Sequence, residues 1–218
     1  MKIIKYISKS EQLLGLNNFI LSAFNLAFLS YYMDKKINIT REYILWPDGI
    51  FAKLFISASK IAGSDLINNL ILPKNINQLI VVGNLNKFNK AFLKKKFKIK
   101  IKHITIPRIS YKQLNKVFIK TRKNSLCLIT LPTPKQEILA NKIGKNNKFY
   151  KIICIGGGLD IASGKIKKCP IFISRIGLEF IWRLRSDTFR RLLRLLETFI
   201  KFIIYFSLGK FDLKIKKI

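Results

Sequence analysis

Residues 78–104 read QLIVVGNLNKFNKAFLKKKFKIKIKHI, and this pattern of apolar and basic residues indicates the architecture of the chain. Its start, QLIVV, has the length and composition of a buried strand that stops at Gly83-Asn84. Lys87 to Phe97 then has the pattern of a basic helix, and Ile99 to Ile104 predicts a second strand. A strand, a helix and a strand in close succession are typical of a parallel sheet.

The same alternation continues downstream. Tyr111 to Lys120 predicts a helix with Ser110 as its N-cap, and Leu126 to Leu131 predicts a third strand. A further helix starts at Lys135, and Tyr150 to Ile155 predicts a fourth strand that ends in three glycines. We therefore predict an α/β fold with a Rossmann-like, mainly parallel sheet flanked by helices. Ligands of such sheets bind beyond the carboxyl ends of the strands, so the loops after these strands should line one rim.

The chain changes character after Pro170. Ile171 to Leu184 and Asp187 to Leu208 predict two helices with little polar surface. We therefore divide the chain into an α/β catalytic domain, residues 1–170, and a helical appendage, residues 171–218. The second helix has arginines near its start, a broad apolar surface and a lysine-rich tail, which is typical of a helix at the interface of an anionic membrane. The alternative is a C-terminal helix packed on the core.

The charge of the chain is strongly one-sided, with 42 Lys and Arg against 11 Asp and Glu, a net charge of +31. Such an excess attracts polyanions: nucleic acid, phosphorylated ligands or an anionic bilayer. A solvated basic surface that reflects composition alone is the alternative. The sequence has no zinc-finger or RNA-recognition motif, which argues against a specific nucleic-acid partner. Because 49% of the residues are hydrophobic, a disordered tail is excluded.

The cysteines and the single histidine limit the chemistry. None of Cys127, Cys154 and Cys169 belongs to a C-x-x-C pair, so neither a disulfide framework nor a zinc site is expected. This usage suits a reducing compartment. With His103 alone, the chain can hardly build a multi-histidine metal site or a histidine-based triad. We find no signal peptide and no apolar run of about 18 residues, and we predict a cytoplasmic protein that does not span the membrane.

Three loops have residue types suited to proton transfer and ligand binding. Asp48, in WPDG at residues 46–49, lies between two apolar runs, where desolvation would raise the pKa of its carboxyl and make it a better base. A plain turn is the alternative. In PTPKQE, residues 132–137, the helix start would offer open amides to a phosphate or a base, and Gln136 can both donate and accept hydrogen bonds. The glycines at 156–158 would let the backbone approach a diphosphate closely.

Taken in order, these segments resemble the WecG/TagA/CpsF glycosyltransferase family, also called glycosyltransferase family 26, over roughly residues 20–195. The family's Asp-Gly and Gly-Ser-Asp-Leu elements are matched at residues 48–49 and 63–66, and its Pro-Lys-Gln-Glu element at 134–137. Next comes the family's Gly-Gly-x-x-Asp element, for which this chain has Gly157, Gly158 and Asp160. A basic pair, Lys167-Lys168, follows, and then a Gly-Leu-Glu-Trp-x-x-Arg-Leu element at 177–184 in which Phe180 replaces tryptophan. Pro-Lys-Gln-Glu and Gly-Leu-Glu, in this order, are the specific part of the resemblance.

The resemblance implies an inverting, metal-independent transfer from a UDP-sugar, such as UDP-N-acetylmannosamine or its uronate, with no other cofactor. The implied acceptor is a glycan on polyprenyl diphosphate at the inner face of the cytoplasmic membrane, where the enzyme would be peripheral. The implied catalytic base is Asp48. The implied nucleotide-sugar contacts are Asn25, Lys60, Gly63, Asp65, Pro134, Gln136, Glu137, Gly156, Gly157 and Gly158, and the implied diphosphate and acceptor contacts are Arg183, Arg190 and Arg194.

Two departures from the family pattern motivate an alternative. Ala23-Phe24-Asn25 stands where the family has Thr-x-Asn, and Lys60 stands where it has arginine, which loses the planar fork of the guanidinium. They bear on the identity of the donor sugar more than on the reaction class. The alternative is a family member that has lost catalysis and acts as a membrane-bound partner. The sequence leaves open whether the chain forms a homo-oligomer.

Overall fold

The computed structural model describes residues 2–40, 42–56, 58–107, 110–114, 116–170, 172–173, 182 and 188–218. The strands in these ranges are β1 Lys2–Tyr6, β2 Phe19–Phe24, β3 Tyr43–Pro47, β4 Gln78–Val82, β5 Lys100–Ile104, β6 Ser125–Ile129, β7 Lys151–Cys154 and β8 Leu213–Lys217. The α-helices in the same ranges are α1 Leu26–Met33, α2 Ile50–Ile56, α3 Gly63–Asn68, α4 Lys87–Phe97, α5 Tyr111–Leu114, α6 Lys135–Asn146, α7 Gly158–Ala162 and α8 Thr188–Ser207.

The eight strands form one sheet in the order β5-β4-β6-β7-β2-β3-β1-β8. Every neighbouring pair is parallel. Val82, Ile129 and Cys154 are partners in register near the carboxyl ends of three adjacent strands. The predicted Rossmann-like α/β fold is therefore confirmed, and the sheet is parallel throughout. All strand ends point to one edge, where ligands of such sheets bind.

Side chains alternate between two cores, one on each face of the sheet. In β4, Leu79 and Val81 pack with α3, α4 and α7, whereas Ile80 and Val82 pack on the other face with α1 and α6. A strand buried on both faces reads as a continuous apolar run, which is why QLIVV shows no alternation in sequence. The molecule thus has three layers, with helices on both sides of the sheet.

Local signals set the helix ends around the rim. Asn25 and Asn86 cap α1 and α4, because their side-chain oxygens accept hydrogen bonds from the N–H groups three residues later, both at 3.0 Å. At the other end of α4, Lys94, Lys95 and Lys96 place positive charge in the last turn, which the helix dipole favours.

The structure differs from the sequence-based expectations in one helical region and in the C-terminal tail. The helix predicted from Tyr111 to Lys120 ends at Leu114, since Ile119 turns into the core and its carbonyl accepts a hydrogen bond from Asn147 at 3.0 Å. Strands β1, β2 and β3 were not predicted individually. The helix predicted over Ile171 to Leu184 falls mostly outside the described residues.

The last residues are a strand, where the sequence analysis expected only a basic tail. β8 pairs with β1 along its whole length, with Lys2 opposite Leu213 and Tyr6 opposite Lys217. The pattern Leu213-Lys214-Ile215-Lys216 alternates with the period of a half-buried strand, and this signal was overlooked. The C-terminus is therefore tied to the same sheet as the N-terminus. The division of the chain at residue 170 stays a prediction.

One side of helix α8 packs against α1 and makes polar contacts there. Buried Ser30 donates a hydrogen bond to the Thr198 carbonyl at 2.6 Å, and the Tyr205 hydroxyl donates to Asp34 at 2.6 Å. Lys201 lies 3.6 Å from the same carboxylate. The opposite side of α8 exposes Leu192, Leu193, Leu196, Phe199, Ile200, Ile203, Ile204 and Phe206. Among the described residues, no helix is long and apolar enough to cross a membrane.

We expect Ser30→Ala to lower the unfolding free energy by about 1 kcal/mol, the usual net contribution of one intramolecular hydrogen bond. For a chain of this size that corresponds to a fall of about 2–4 °C in melting temperature. The physical reason is the loss of the contact between Ser30 and the Thr198 carbonyl that joins α1 to α8. Thermal denaturation followed by circular dichroism measures the effect. An unchanged melting temperature would show that this contact does not hold α8.

Candidate active site

The candidate site lies at the carboxyl edge of the sheet, where five adjacent strands end. In spatial order the strands are β4, β6, β7, β2 and β3. The predicted residues follow four of them in the chain: Gln136 after β6, Gly156 after β7, Asn25 after β2 and Asp48 after β3. Parallel strand ends share one edge, so segments distant in sequence meet there. The structure thus brings the three predicted loops to one rim.

Asp48 is half-buried and held by its neighbours. Its backbone N–H donates to the Phe24 carbonyl at 3.2 Å, and the Asn25 side-chain amide donates to its Oδ2 at 3.3 Å. Asn25 is itself fixed because its other side-chain atom caps α1. Lys60 lies near this point, since the next residue, Ile61, donates its N–H to the Pro47 carbonyl at 2.7 Å. A carboxylate is therefore presented at the rim in a defined orientation, as a general base requires.

The loop before α6 carries a buried network of side-chain hydrogen bonds. Gln136 and Glu137 are both buried, and the Gln136 amide nitrogen donates to Thr133 Oγ1 at 3.1 Å and to Glu137 Oε1 at 2.8 Å. The same Glu137 oxygen accepts from Ser22 at 2.8 Å and from Thr133 at 3.2 Å. Pro134 sits at the helix start after a cis peptide bond.

The helix start does not offer open amides, as the sequence analysis expected. The N–H groups of Lys135 and Gln136 both donate to the Pro132 carbonyl, at 2.9 and 3.4 Å. This turn satisfies donors that would otherwise face the rim. A phosphate contact from these two amides is therefore not supported.

Burial raises the pKa of the Glu137 carboxyl, against the hydrogen bonds from Ser22, Gln136 and Thr133, which favour the charged form. The side chain is 0% exposed, and no cation appears among the groups that shift it. Desolvation is the dominant cause of the raised pKa, because a buried charge without a nearby opposite charge is costly. Glu137 was predicted as a ligand contact. In the structure its side chain is fully buried and contacts Gln136.

We expect Glu137→Gln to flatten the dependence of stability on pH. A carboxyl whose pKa is higher in the folded than in the unfolded state contributes stability that is fully present below the unfolded pKa, about 4.5, and is lost as the pH rises through the folded value. The neutral amide has no such loss. Melting temperatures of both proteins between pH 4.5 and 8 test this, and the wild type should decline more steeply. Parallel curves would show that Glu137 ionises normally.

The glycines serve two different purposes. Gly158 packs against Gly63, where an added Cβ would approach the Gly63 backbone to 3.0 Å, so α7 and α3 touch backbone to backbone. Gly156 has φ +53 and turns beside Gln136, whereas Gly157 is exposed with open space around it. Packing therefore accounts for Gly63 and Gly158, whereas the turn at Gly156 and Gly157 is the part of the glycine segment that stays open at the rim.

Two carboxylates at the rim are engaged with protein groups. Asp65 forms an ion pair with Lys168, which joins the start of α3 to the predicted basic pair. Asp160 accepts hydrogen bonds from Asn86 and Asn89, both at 2.9 Å, and so ties α7 to α4. The sequence analysis missed these asparagines, and isolated polar residues in a basic helix gave no signal for them. Ser22 was also missed, although a polar residue inside a wholly apolar strand was a usable signal.

Of the three predicted arginines, the structure places one side chain. Arg194 donates a hydrogen bond from Nη2 to the Thr133 carbonyl at 2.8 Å, which links α8 to the loop before α6. Arg183 lies outside the described residues, and Arg190 belongs to α8, but its side chain is not described. Arg194 therefore brings positive charge to the rim and also holds the loop.

The comparison with known families covers most of the segments that form this rim. The family model described as "Glycosyl transferase WecG/TagA/CpsF family" matches residues 42–215, which is most of the chain. The matched region contains Asp48, the loop before α6, the glycine turn and α8. Asn25 precedes it and meets it through the hydrogen bond to Asp48.

Proposed function

This chain belongs to the WecG/TagA/CpsF family of glycosyl transferases, and on that premise we propose that it transfers one sugar from a UDP-sugar to a polyprenyl-diphosphate-linked glycan. The donor sugar would be an N-acetylhexosamine such as N-acetylmannosamine or its uronate. The chain is a glycosyltransferase, and its family makes cell-surface polymers. The observation that carries the proposal is the Asp48 carboxylate, held by Asn25 at the rim of a parallel sheet that also carries the glycine turn.

The proposed reaction is a single displacement. Asp48 accepts the proton of the acceptor hydroxyl while that oxygen forms a bond to the anomeric carbon of the sugar. The bond between the anomeric carbon and the β-phosphate oxygen breaks, and UDP leaves with its electron pair, so the configuration inverts. Lys60 and Arg194 are two cations near the rim that would offset the charge on the leaving UDP. No metal or other cofactor is part of the proposal.

The exposed side of α8 supports a peripheral location on an anionic membrane. Eight large apolar side chains of this helix are exposed, which is costly in water and typical of a surface that meets another apolar phase. The polar side faces α1, and lysines of β8 follow at once in the chain. A lipid-linked acceptor would reach the rim from this surface, since Arg194 joins α8 to the loop before α6.

The first test is thermal stabilisation of the full chain by nucleotides, without added metal. UDP at 100 times its Kd should stabilise the fold by about 2.7 kcal/mol, or roughly 5–11 °C, and one UDP-hexosamine should do more. Because the chain is highly basic, inorganic diphosphate at equal ionic strength is the control for nonspecific anion binding. Equal shifts with diphosphate and with UDP would contradict a nucleotide site.

A further inference from the structure

The side-chain amide of Gln136 is held in one orientation by its neighbours. Both hydrogens of its nitrogen are used within the protein, one by Thr133 Oγ1 at 3.1 Å and one by Glu137 Oε1 at 2.8 Å. Its carbonyl oxygen, Oε1, is buried and has no hydrogen-bond partner in the part of the chain that the structure describes. A buried acceptor without a donor is costly, and it calls for a partner that arrives from outside.

That oxygen lies next to the glycine turn. A Cβ built on Gly156 would be 3.6 Å from Gln136 Oε1 and 3.7 Å from the Leu131 carbonyl oxygen. Gly156 is half-buried and the next residue, Gly157, is exposed, so the turn beside this oxygen reaches the surface at the rim. Neither residue has a side chain that would keep a ligand away from the turn.

Glu137 is the residue that decides the orientation. Its Oε1 accepts from Ser22, Thr133 and Gln136, so this oxygen acts only as an acceptor. If the Gln136 amide were reversed, its oxygen would face the Glu137 oxygen at 2.8 Å, and two acceptors would repel each other. The amide nitrogen is therefore kept inward and the amide oxygen outward.

We propose that Glu137 is a positioning residue that locks the Gln136 amide with its oxygen toward the nucleotide-sugar site, so that this site selects a ligand with a hydrogen-bond donor at that point. The inference rests on the proposed function. The donor is either the imide N–H of the nucleobase or a hydroxyl of the transferred sugar. A ligand that presents an acceptor there, such as the ring nitrogen of cytosine, would be rejected.

The test is calorimetric titration of the full chain with UDP, CDP and a UDP-N-acetylhexosamine. The variants are Gln136→Met, which removes the acceptor at similar volume, and Glu137→Gln, which allows both amide orientations. Glu137→Met removes the carboxyl oxygens altogether and serves if Glu137→Gln fails to fold. Ser125→Ala is the control, because this buried serine lies at the opposite edge of the sheet and its loss should affect stability alone.

We expect Gln136→Met and Glu137→Gln to weaken binding of the same probe by about 10- to 100-fold. This is the usual effect when a buried hydrogen-bonding group of a complex loses its partner or faces a group of the same kind. Loss already with UDP, together with a fall in the preference for UDP over CDP, places the donor on the nucleobase. Loss confined to the UDP-sugar places it on the sugar. Ser125→Ala should bind all probes like the wild type.

Two results would overturn the inference while leaving the proposed function intact. One is wild-type affinity of Gln136→Met for every bound probe. The other is wild-type affinity of folded Glu137→Gln, or of folded Glu137→Met in its place, alongside a loss in Gln136→Met. A folded wild type that binds none of the three probes would overturn the proposed function itself and the inference with it.

Discussion

Asp48→Asn is expected to lower turnover by about 100- to 10,000-fold, the range that general-base assistance commonly contributes. Asparagine has the same shape and can still receive the hydrogen bond from Asn25, so the rim should keep its geometry. What it loses is the ability to take the proton of the acceptor hydroxyl. Turnover measured with a UDP-sugar and a lipid-linked acceptor should fall, while affinity for UDP stays close to that of the wild type.

Asp160→Asn is the matched control for this change. It is the same substitution on a carboxylate near the same edge, whose hydrogen bonds come from Asn86 and Asn89. Because those contacts join two helices, we expect a loss of stability and little change in turnover. Equal turnover of Asp48→Asn and the wild type would remove Asp48 from the role of base. A similar loss in both variants would point to general disturbance of the rim.

Phe199→Glu is expected to weaken binding to anionic vesicles by at least about tenfold. Phe199 is 47% exposed on the apolar side of α8. Burying a phenylalanine side chain in an apolar phase contributes about 1.5–3 kcal/mol, and a carboxylate in its place is repelled by the anionic surface as well. Sedimentation with vesicles that contain anionic lipid measures the partition, and transfer to a lipid-linked acceptor should fall with it.

The control is Phe88→Glu, the same substitution at 49% exposure on α4. Charge and polarity change equally in both variants, so only the place on the surface differs. If both variants lost vesicle binding equally, net charge rather than α8 would drive the attraction. Unchanged binding of Phe199→Glu would remove α8 from membrane contact. Point substitution is sharper than deletion of residues 187–218, because deletion also removes β8 and the contact of Ser30 with α8.

Local pattern was sufficient for much of the fold. The predicted α4 matches the observed bounds, and the predicted strands β4 to β7 lie within one or two residues of the observed ones. These elements have strong periodicity and clear ends, such as the Asn86 cap and the glycines after β7. The predicted helix after Tyr111 was too long. Burial of Ile119 in the core and a long-range hydrogen bond from Asn147 to the Ile119 carbonyl override helix propensity there.

The candidate site was only partly open to prediction. Asp48 and Gln136 were identified from residue type and position and Asn25 through the resemblance to a family, and the parallel sheet explains why they meet. The inward position of Glu137 and the ties between Asp160 and α4 depend on partners far away in the chain. No local pattern reports such partners.

By itself, the sequence determined the alternation of strands and helices, the basic and amphipathic C-terminal helix, and the ordered motifs of a glycosyltransferase family. These properties follow from residue type and spacing along the chain, which set secondary structure and the apolar faces. Only the tertiary structure decided the strand order, the pairing of β8 with β1, and the side chains that surround Gln136. These depend on which distant segments bury each other, since hydrogen bonding and desolvation are set by neighbours in space.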